Sequence, residues 1–120
     1  MLQTAILTRN KDFVMLYQRG KTVVSPDVVI YVRKNKLKYN RLGITAGKKV
    51  GGAVQRNRAK RVIRAAYRET ESLFPIGIDM VIVARAAIGE IRSTELADFL
   101  KGQGLKRINR CLYEIGGKSR

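Results

Sequence analysis

The stretch GGAVQRNRAKRVIRAAYRE, residues 51–69, concentrates the side chains whose chemistry is most distinctive. It holds six basic residues, and its only acid is the final Glu69. Guanidinium groups fork bidentately onto phosphate oxygens, and an ammonium group neutralises a phosphate as a point charge. Asn57, between two arginines, could read a base edge or a ribose hydroxyl. The pattern favours binding of a phosphate-bearing polyanion.

The excess of basic charge extends beyond this stretch. The 120 residues carry 25 Lys+Arg against 9 Asp+Glu, a formal net charge of +16. No acid occurs between Asp27 and Glu69, and 13 of the basic residues lie in that interval. Such charge opposes compactness by self-repulsion unless a polyanion neutralises it. Nucleic acid is the expected partner and an anionic membrane surface the second choice. A merely solvated basic helix is the alternative, but no acids at i,i+4 accompany these bases.

Catalytic chemistry has little support in the sequence. Histidine, the commonest general acid/base and metal ligand, is absent. The nine acids are scattered and form no cluster that could hold two Mg²⁺ ions. GKKVGG, residues 47–52, resembles a phosphate-binding loop only loosely, and a tight turn into a helix explains it as well. We therefore predict no catalytic residue, no metal ligand and no independent protein enzyme.

Cysteine usage and hydropathy indicate the compartment. Cys111 is alone, which excludes an intramolecular disulfide and leaves a buried thiol as the simplest interpretation. The start, MLQTAIL, lacks the basic region of a signal peptide. The longest apolar run, IDMVIVARAAI, is too short to span a bilayer. We expect a cytoplasmic protein with no membrane association.

The elements that must position these residues follow from periodicity. Residues 9–19 suggest a short amphipathic helix that stops at Gly20. Residues 21–24, 28–33, 41–47 and 78–84 read as strands, the last apolar enough to be central. A long helix is predicted from about Ala53 to about Ser72 and a last helix after Thr94 as its N-cap, weakened by glycines in its middle. The order α-β-β-β-α-β-α predicts one α+β domain over residues 1–120, a two-layer α/β sandwich on a small mixed sheet.

On the long helix, apolar and basic residues separate onto different faces. Ala59, Ile63 and Ala66 belong to the apolar stripe. Arg56 lies near the border of that stripe and Arg58 on the other flank. The opposite face gathers Asn57, Lys60, Arg61, Arg64 and Arg68.

The aromatic residues offer a second surface. Phe13 and Tyr17 share a face of the first helix, and Val29 and Tyr31 share a face of the second strand. Core packing is the simplest interpretation. If the helices cover only one side of the sheet, however, the other side is open, and aromatic rings there could stack unpaired bases.

With these residues placed, GKKVGGAVQRNRAKRVIRAAYRE resembles the signature region of the protein subunit of bacterial ribonuclease P. Arg56-Asn57-Arg58 matches the Arg-Asn-Arg core of that signature, and Lys60, Arg61 and Arg64 follow at the expected spacing. The helix containing Asp12-Phe13 and the strands VVIYV, RLGIT and DMVIVAR appear in the same order. The resemblance covers nearly the whole chain.

The resemblance implies a fold and a role. It implies an α/β sandwich with an unusual left-handed crossover between parallel strands, against the usual handedness rule. It implies a cofactor protein of a catalytic RNA, which holds the Mg²⁺ ions and cleaves precursor tRNA to give the mature 5′ end. The implied partners are that RNA and the single-stranded 5′ leader of precursor tRNA. No membrane and no protein partner is required.

The resemblance also implies residue roles. The RNA subunit would contact Arg56, Asn57, Arg58, Lys60, Arg61, Arg64 and Arg68. The leader would lie against Phe13, Tyr17, Val29 and Tyr31, with Lys48 and Lys49 neutralising phosphates nearby. Three positions depart from the family pattern. Gly47 replaces a small hydroxyl residue, Gly52 an asparagine, and Ile6 a basic residue.

Three other functions remain possible on the residues alone. A ribosomal protein of similar fold would share the charge but not the Arg-Asn-Arg helix. A protein-only nuclease would cleave RNA by itself and depend on carboxylates such as Asp79. A DNA-binding regulator would prefer duplexes, but no helix-turn-helix pair is present.

Overall fold

The computed structural model describes residues 4–114, which form five strands and four α-helices with short helical turns between them. The elements are β1 Thr4–Ile6, α1 Asn10–Arg19, β2 Lys21–Val24, β3 Val28–Lys34, β4 Asn40–Ala46, α2 Ala53–Thr70, β5 Ile78–Ala84, α3 Ser93–Phe99 and α4 Leu105–Asn109. Single helical turns lie at Lys48–Val50, Glu71–Leu73 and Ala86–Ile88. Among residues 4–114, no helix is both long and apolar enough to cross a membrane.

The strands form one mixed sheet in the order β1-β4-β5-β3-β2. β1 and β5 both run parallel to β4, whereas β3 runs antiparallel to β5 and to β2. β5 is central, as its continuous apolar sequence predicts, and six of its seven residues are buried. Helix α2 makes the crossover between the parallel neighbours β4 and β5. The predicted α+β class and small mixed sheet are confirmed.

One face of the sheet carries most of the core. Alternate residues of β3, such as Ile30, and of β5, such as Ile82, pack there against the apolar stripe of α2 and against α3. Ile63 of α2 is fully buried in this cluster. The stripe predicted from helical periodicity is therefore the surface that attaches α2 to the sheet.

The second face of the sheet is partly covered by α1, so the condition for a fully open second face, helices on one side only, is not met. Leu16 packs beneath α1 with Val81 of β5 and Leu7, in a smaller buried cluster. The amphipathic stripe of α1 requires such a partner, because a helix with an apolar stripe must bury it against another element. The sheet residues beside α1 on this face, Val29, Thr45 and Val83, stay partly accessible.

The structure differs from the sequence-based prediction in two smaller respects. β1 is an additional edge strand ahead of the predicted element order. The last helix begins at Ser93, because the backbone N–H of Arg92 donates to Glu95 Oε1 at 2.9 Å, so Thr94 as its N-cap is wrong. The predicted weak middle of that helix is confirmed, since Gly102 has non-helical φ and ψ and kinks it.

Candidate nucleic-acid interface

One side of α2 carries a band of basic side chains, here called the basic face. The face contains Arg56, Asn57, Lys60, Arg61, Arg64 and Arg68. Asn57, Arg61 and Arg68 are exposed, and the other three are half-buried. Within residues 4–114 the ion pairs engage Arg41 and Lys101, and none engages a residue of this face. The positive charge there is uncompensated and available to an anion.

Arg58 lies apart from the basic face. At about 100° per residue it sits about 60° beyond Arg61, past the edge of the face, and its side chain turns toward the connection that precedes α3. Its guanidinium group donates to the backbone carbonyls of Gly89, Glu90 and Ile91 at 2.8, 3.2 and 2.9 Å. The helix position was predicted, but these partners follow no local signal, because they lie 31 to 33 residues away.

The basic face continues into the turn before α2. Lys48 and Lys49 are exposed on the helical turn that follows the carboxyl end of β4. Gly51 then adopts φ +140°, and a Cβ there would lie 2.9 Å from Gln55 Cβ, so the chain needs glycine to enter α2. GKKVGG is thus the tight turn into a helix that the sequence allowed, and it presents two lysines next to the basic face.

The second surface, here called the cleft, is the part of the second sheet face beside α1, where four of the predicted residues (Phe13, Tyr17, Val29 and Tyr31) are partly accessible. The rings of Tyr17 and Tyr31 meet edge to face, with centroids 4.9 Å apart and planes at 73°. Val29 shares the strand face of Tyr31, and both are partly accessible. The cleft therefore presents aromatic and apolar side chains to solvent on the same side of the sheet.

Phe13 contributes to the cleft mainly through packing. A Cβ on Gly43 of β4 would lie 2.5 Å from Phe13 Cε1, so the ring rests directly on the glycine backbone. Phe13 also packs on the buried cluster that contains Leu16 and Val81. This close approach, which requires glycine at position 43, seats α1 on the sheet.

Two lining residues were missed by sequence reasoning. Val83 of β5 pairs with Val29 of β3 and with Thr45 of β4, so Val83 and Thr45 occupy the same face in the next row of the sheet. Both are partly accessible. The alternation of residues along one strand does not identify them, because the register between strands decides which residues of β4 and β5 lie beside Val29.

An ion-pair network holds α1 over the sheet at the opposite end of the cleft. Arg41 Nε and Nη2 donate to the two carboxylate oxygens of Asp79 at 2.8 and 2.6 Å. Arg41 Nη1 lies 3.6 Å from Asp12 of α1. The hydrogen bond to Asp79 is the main cause that raises the pKa of Arg41 above its usual value. Asp79 is thus committed to a structural pair, and it also accepts from Asn35 Nδ2 at 2.8 Å.

The departures from the family pattern lie at open positions. A Cβ at Gly47 would meet nothing within 4 Å, so a hydroxyl residue would fit there. Gly52 is the N-cap of α2 and makes no side-chain cap, which an asparagine could supply. Ile6 is exposed on the edge strand β1. All three positions are exposed at the surface.

The two surfaces meet at one end of the sheet. Thr45 and the cleft lie near the carboxyl end of β4, and the chain passes from there through Lys48 and Lys49 into the basic face of α2. Within residues 4–114, no three His, Cys, Asp or Glu side chains lie together as a metal site would require. The arrangement places exposed cationic side chains beside partly exposed aromatic rings.

Comparison with known proteins agrees with this geometry. A family model described as Ribonuclease P matches residues 1–109. The ribonuclease P protein component of Alkaliphilus metalliredigens is 38% identical over 94 residues, which cover 78% of this chain and 85% of that protein. The corresponding protein of Thermotoga maritima is 36% identical over 84 residues, or 70% of this chain and 72% of that protein.

Solved structures show the same fold. The RNase P protein from Thermotoga maritima superposes with a TM-score of 0.75 at 31% identity, covering 85% of this chain and 96% of that one. The RNase P protein of Staphylococcus aureus gives 0.74 at 29% identity, with 89% and 96% covered. The chain described here therefore belongs to the family of ribonuclease P protein components.

Proposed function

We propose that this chain binds the catalytic RNA of ribonuclease P through the basic face of α2 and holds the single-stranded 5′ leader of precursor tRNA in the cleft beside α1. Membership of the family implies a part in the tRNA-processing ribonucleoprotein. The observation that carries the finer proposal is the continuity of the unpaired basic face with the aromatic cleft. Phosphate contacts supply affinity, and the rings stack unpaired bases.

In this proposal the protein positions RNA and performs no bond cleavage. The Mg²⁺ ions that assist leader removal are held by the RNA subunit and the substrate. The scattered carboxylates support this division, because Asp79 and Asp12 are engaged by Arg41. Lys48 and Lys49 neutralise phosphates where the leader leaves the cleft and the RNA subunit begins.

Reconstitution tests the proposal. The purified chain is mixed with a bacterial ribonuclease P RNA at low Mg²⁺, and cleavage of a precursor tRNA is measured beside protein alone and RNA alone. Strong cleavage only in the mixture is expected. Cleavage by the protein alone would identify a protein nuclease, and no cleavage in any mixture would favour the ribosomal alternative.

The leader cleft has its own test. Tyr17→Ala removes a ring that is 43% exposed, and Tyr39→Ala removes one that is 44% exposed on the β3–β4 connection and serves as a matched control. A stacked base is worth about 1–3 kcal/mol, so Tyr17→Ala is expected to weaken binding of leader-bearing substrate by roughly five- to 150-fold. Binding of leaderless tRNA should not change. Equal losses for both substrates would place Tyr17 in a purely structural role.

A further inference from the structure

Arg58 belongs to the Arg-Asn-Arg motif, yet its guanidinium group is occupied within the protein. An arginine side chain has five N–H donors, and three of those of Arg58 form hydrogen bonds to successive backbone carbonyls. Nη1 bonds Gly89, while Nη2 bonds both Glu90 and Ile91. Two donors remain, so a phosphate could be bound bidentately only at the expense of these bonds.

The connection that Arg58 binds has a backbone shaped for it. Gly89 adopts φ +39°, in the left-handed region that favours glycine. Ile88, immediately before it, is buried, and the Ile91 N–H donates to the Ile88 carbonyl at 2.9 Å. This turn leaves three consecutive carbonyls within reach of one guanidinium group. The arrangement is a built contact between α2 and the connection 89–91.

The same connection supports the turn that carries the exposed lysines. The helical turn Ala86–Ile88 precedes Gly89 and packs against the turn Lys48–Val50. Val50 packs on the main core from its side. A continuous line of contacts therefore runs from Arg58 through 89–91 and 86–88 to Lys48 and Lys49.

We infer that Arg58 is a positioning residue that holds the connection 89–91, and through it the Lys48–Val50 turn, in the arrangement that receives RNA phosphates. The arginines of α2 that contact RNA directly are then those of the basic face, Arg56, Arg61, Arg64 and Arg68. The inference rests on the proposed function, because it assumes that RNA binds at Lys48 and Lys49. It divides the two arginines of the motif between protein and RNA.

Charge and geometry can be separated at position 58. Arg58→Lys keeps the positive charge but replaces two forked nitrogens by one, and Arg58→Gln removes the charge. If Arg58 positions the connection, both variants should weaken binding of the RNA subunit roughly three- to tenfold, as expected when a contact network is broken. Hydrogen exchange of the amides at 89–96 should accelerate in both. Wild-type affinity for the RNA subunit in Arg58→Lys together with reduced affinity in Arg58→Gln would show that only the charge matters and would overturn the inference. Wild-type affinity in both variants would also overturn it.

A double-mutant cycle tests the link to the lysines. In a Lys48→Ala/Lys49→Ala background, Arg58→Lys should cost much less affinity than in the wild type, because the residues that it positions are gone. Arg61→Ala should cost the same in both backgrounds. If Arg58→Lys acted only by destabilising the fold, its loss of binding free energy would add in full to the loss caused by the two lysine substitutions. Such additivity would contradict the proposed line of contacts.

Folding and binding controls keep the result interpretable. Each variant is compared in sulfate at a temperature where circular dichroism shows it folded, so that unfolding does not pass for weak binding. Wild-type binding to the RNA subunit is measured first. Its absence would refute the proposed function, whereas wild-type binding with an unaffected Arg58→Lys would refute only the role of Arg58.

Discussion

Gly43 shows how a single residue shapes the leader cleft. A Cβ there would lie 2.5 and 2.6 Å from two ring atoms of Phe13 and 3.3 Å from Val81 Cγ2. We expect Gly43→Ala to displace the ring and to destabilise the fold by about 1–3 kcal/mol, the usual cost of overpacking. Urea unfolding measures this cost, and leader binding should weaken with it.

Gly47 provides the control for that substitution. A Cβ at Gly47 meets open space, and its backbone is extended rather than left-handed. Gly47→Ala should change the unfolding free energy by less than about 0.5 kcal/mol, as is usual for surface positions. If Gly43→Ala changed the unfolding free energy as little as Gly47→Ala does, the ring of Phe13 would have to move aside without cost.

At the scale of elements, α2 serves two partners with different sides. Its apolar stripe attaches to the sheet and its basic face remains free, and both follow from the 3.6-residue period. The salt dependence of binding tests the second role. The logarithm of the RNA association constant falls linearly with the logarithm of the salt concentration. Arg61→Ala should make this negative slope shallower by about 1, because one phosphate contact is lost.

Lys106→Ala is the matched control for Arg61→Ala. Lys106 is exposed on α4 and its loss changes the net charge by the same amount. The salt dependence of RNA binding by Lys106→Ala should equal that of the wild type, since α4 lies outside the proposed interface. Identical slopes for Arg61→Ala and the wild type would remove Arg61 from the RNA contact.

The junction of β1 with the end of α2 makes a separate prediction for alkaline pH. The Thr4 hydroxyl donates to Glu71 Oε2 at 2.5 Å, so the Tyr67 hydroxyl must donate to Thr4, at 2.8 Å. Burial is the main cause that raises the pKa of Tyr67 above its usual 10.0. A group whose pKa is higher in the folded state binds its proton more tightly there, so its contribution to stability is lost as pH rises above 10.

Tyr67→Phe should remove this dependence. We expect a loss of about 1 kcal/mol at neutral pH from the missing hydrogen bond, and a shallower fall of the unfolding free energy above pH 10 than in the wild type. The two proteins share every other titratable group, so the difference between their slopes, measured by urea unfolding, isolates the contribution of Tyr67. Tyr39→Phe, at an exposed ring, should leave the slope unchanged.

At the scale of the whole molecule, the net charge of +16 couples folding to anions. Self-repulsion destabilises the compact state, and a multivalent anion that binds the folded basic face offsets it. Sulfate should therefore raise Tm more than chloride at equal ionic strength. Equal rises in the two salts would indicate general screening rather than binding at a site.

Most elements and most of the site follow from local pattern. Residues 78–84 are the predicted central strand, and α2 occupies the predicted span nearly to the residue. The basic face needed only the helical period, and the pairing of Tyr17 with Tyr31 agrees with the grouping of aromatic residues that the family resemblance implies. β1 escaped prediction because it has three residues and pairs with β4, whose strand begins 36 positions after Thr4.

The amino-acid sequence by itself predicted a polyanionic partner, gathered the basic residues on one helix face and identified the family, because charge and periodicity are properties of neighbouring residues. Only the tertiary structure decided how Phe13 seats α1 on Gly43, that Val83 and Thr45 lie on the same sheet face as Val29, and that Arg58 bonds the connection 89–91. Each of these depends on the register and packing of elements far apart in the chain. Local pattern carries no signal for such contacts, so the division of labour within the Arg-Asn-Arg motif became visible only in three dimensions.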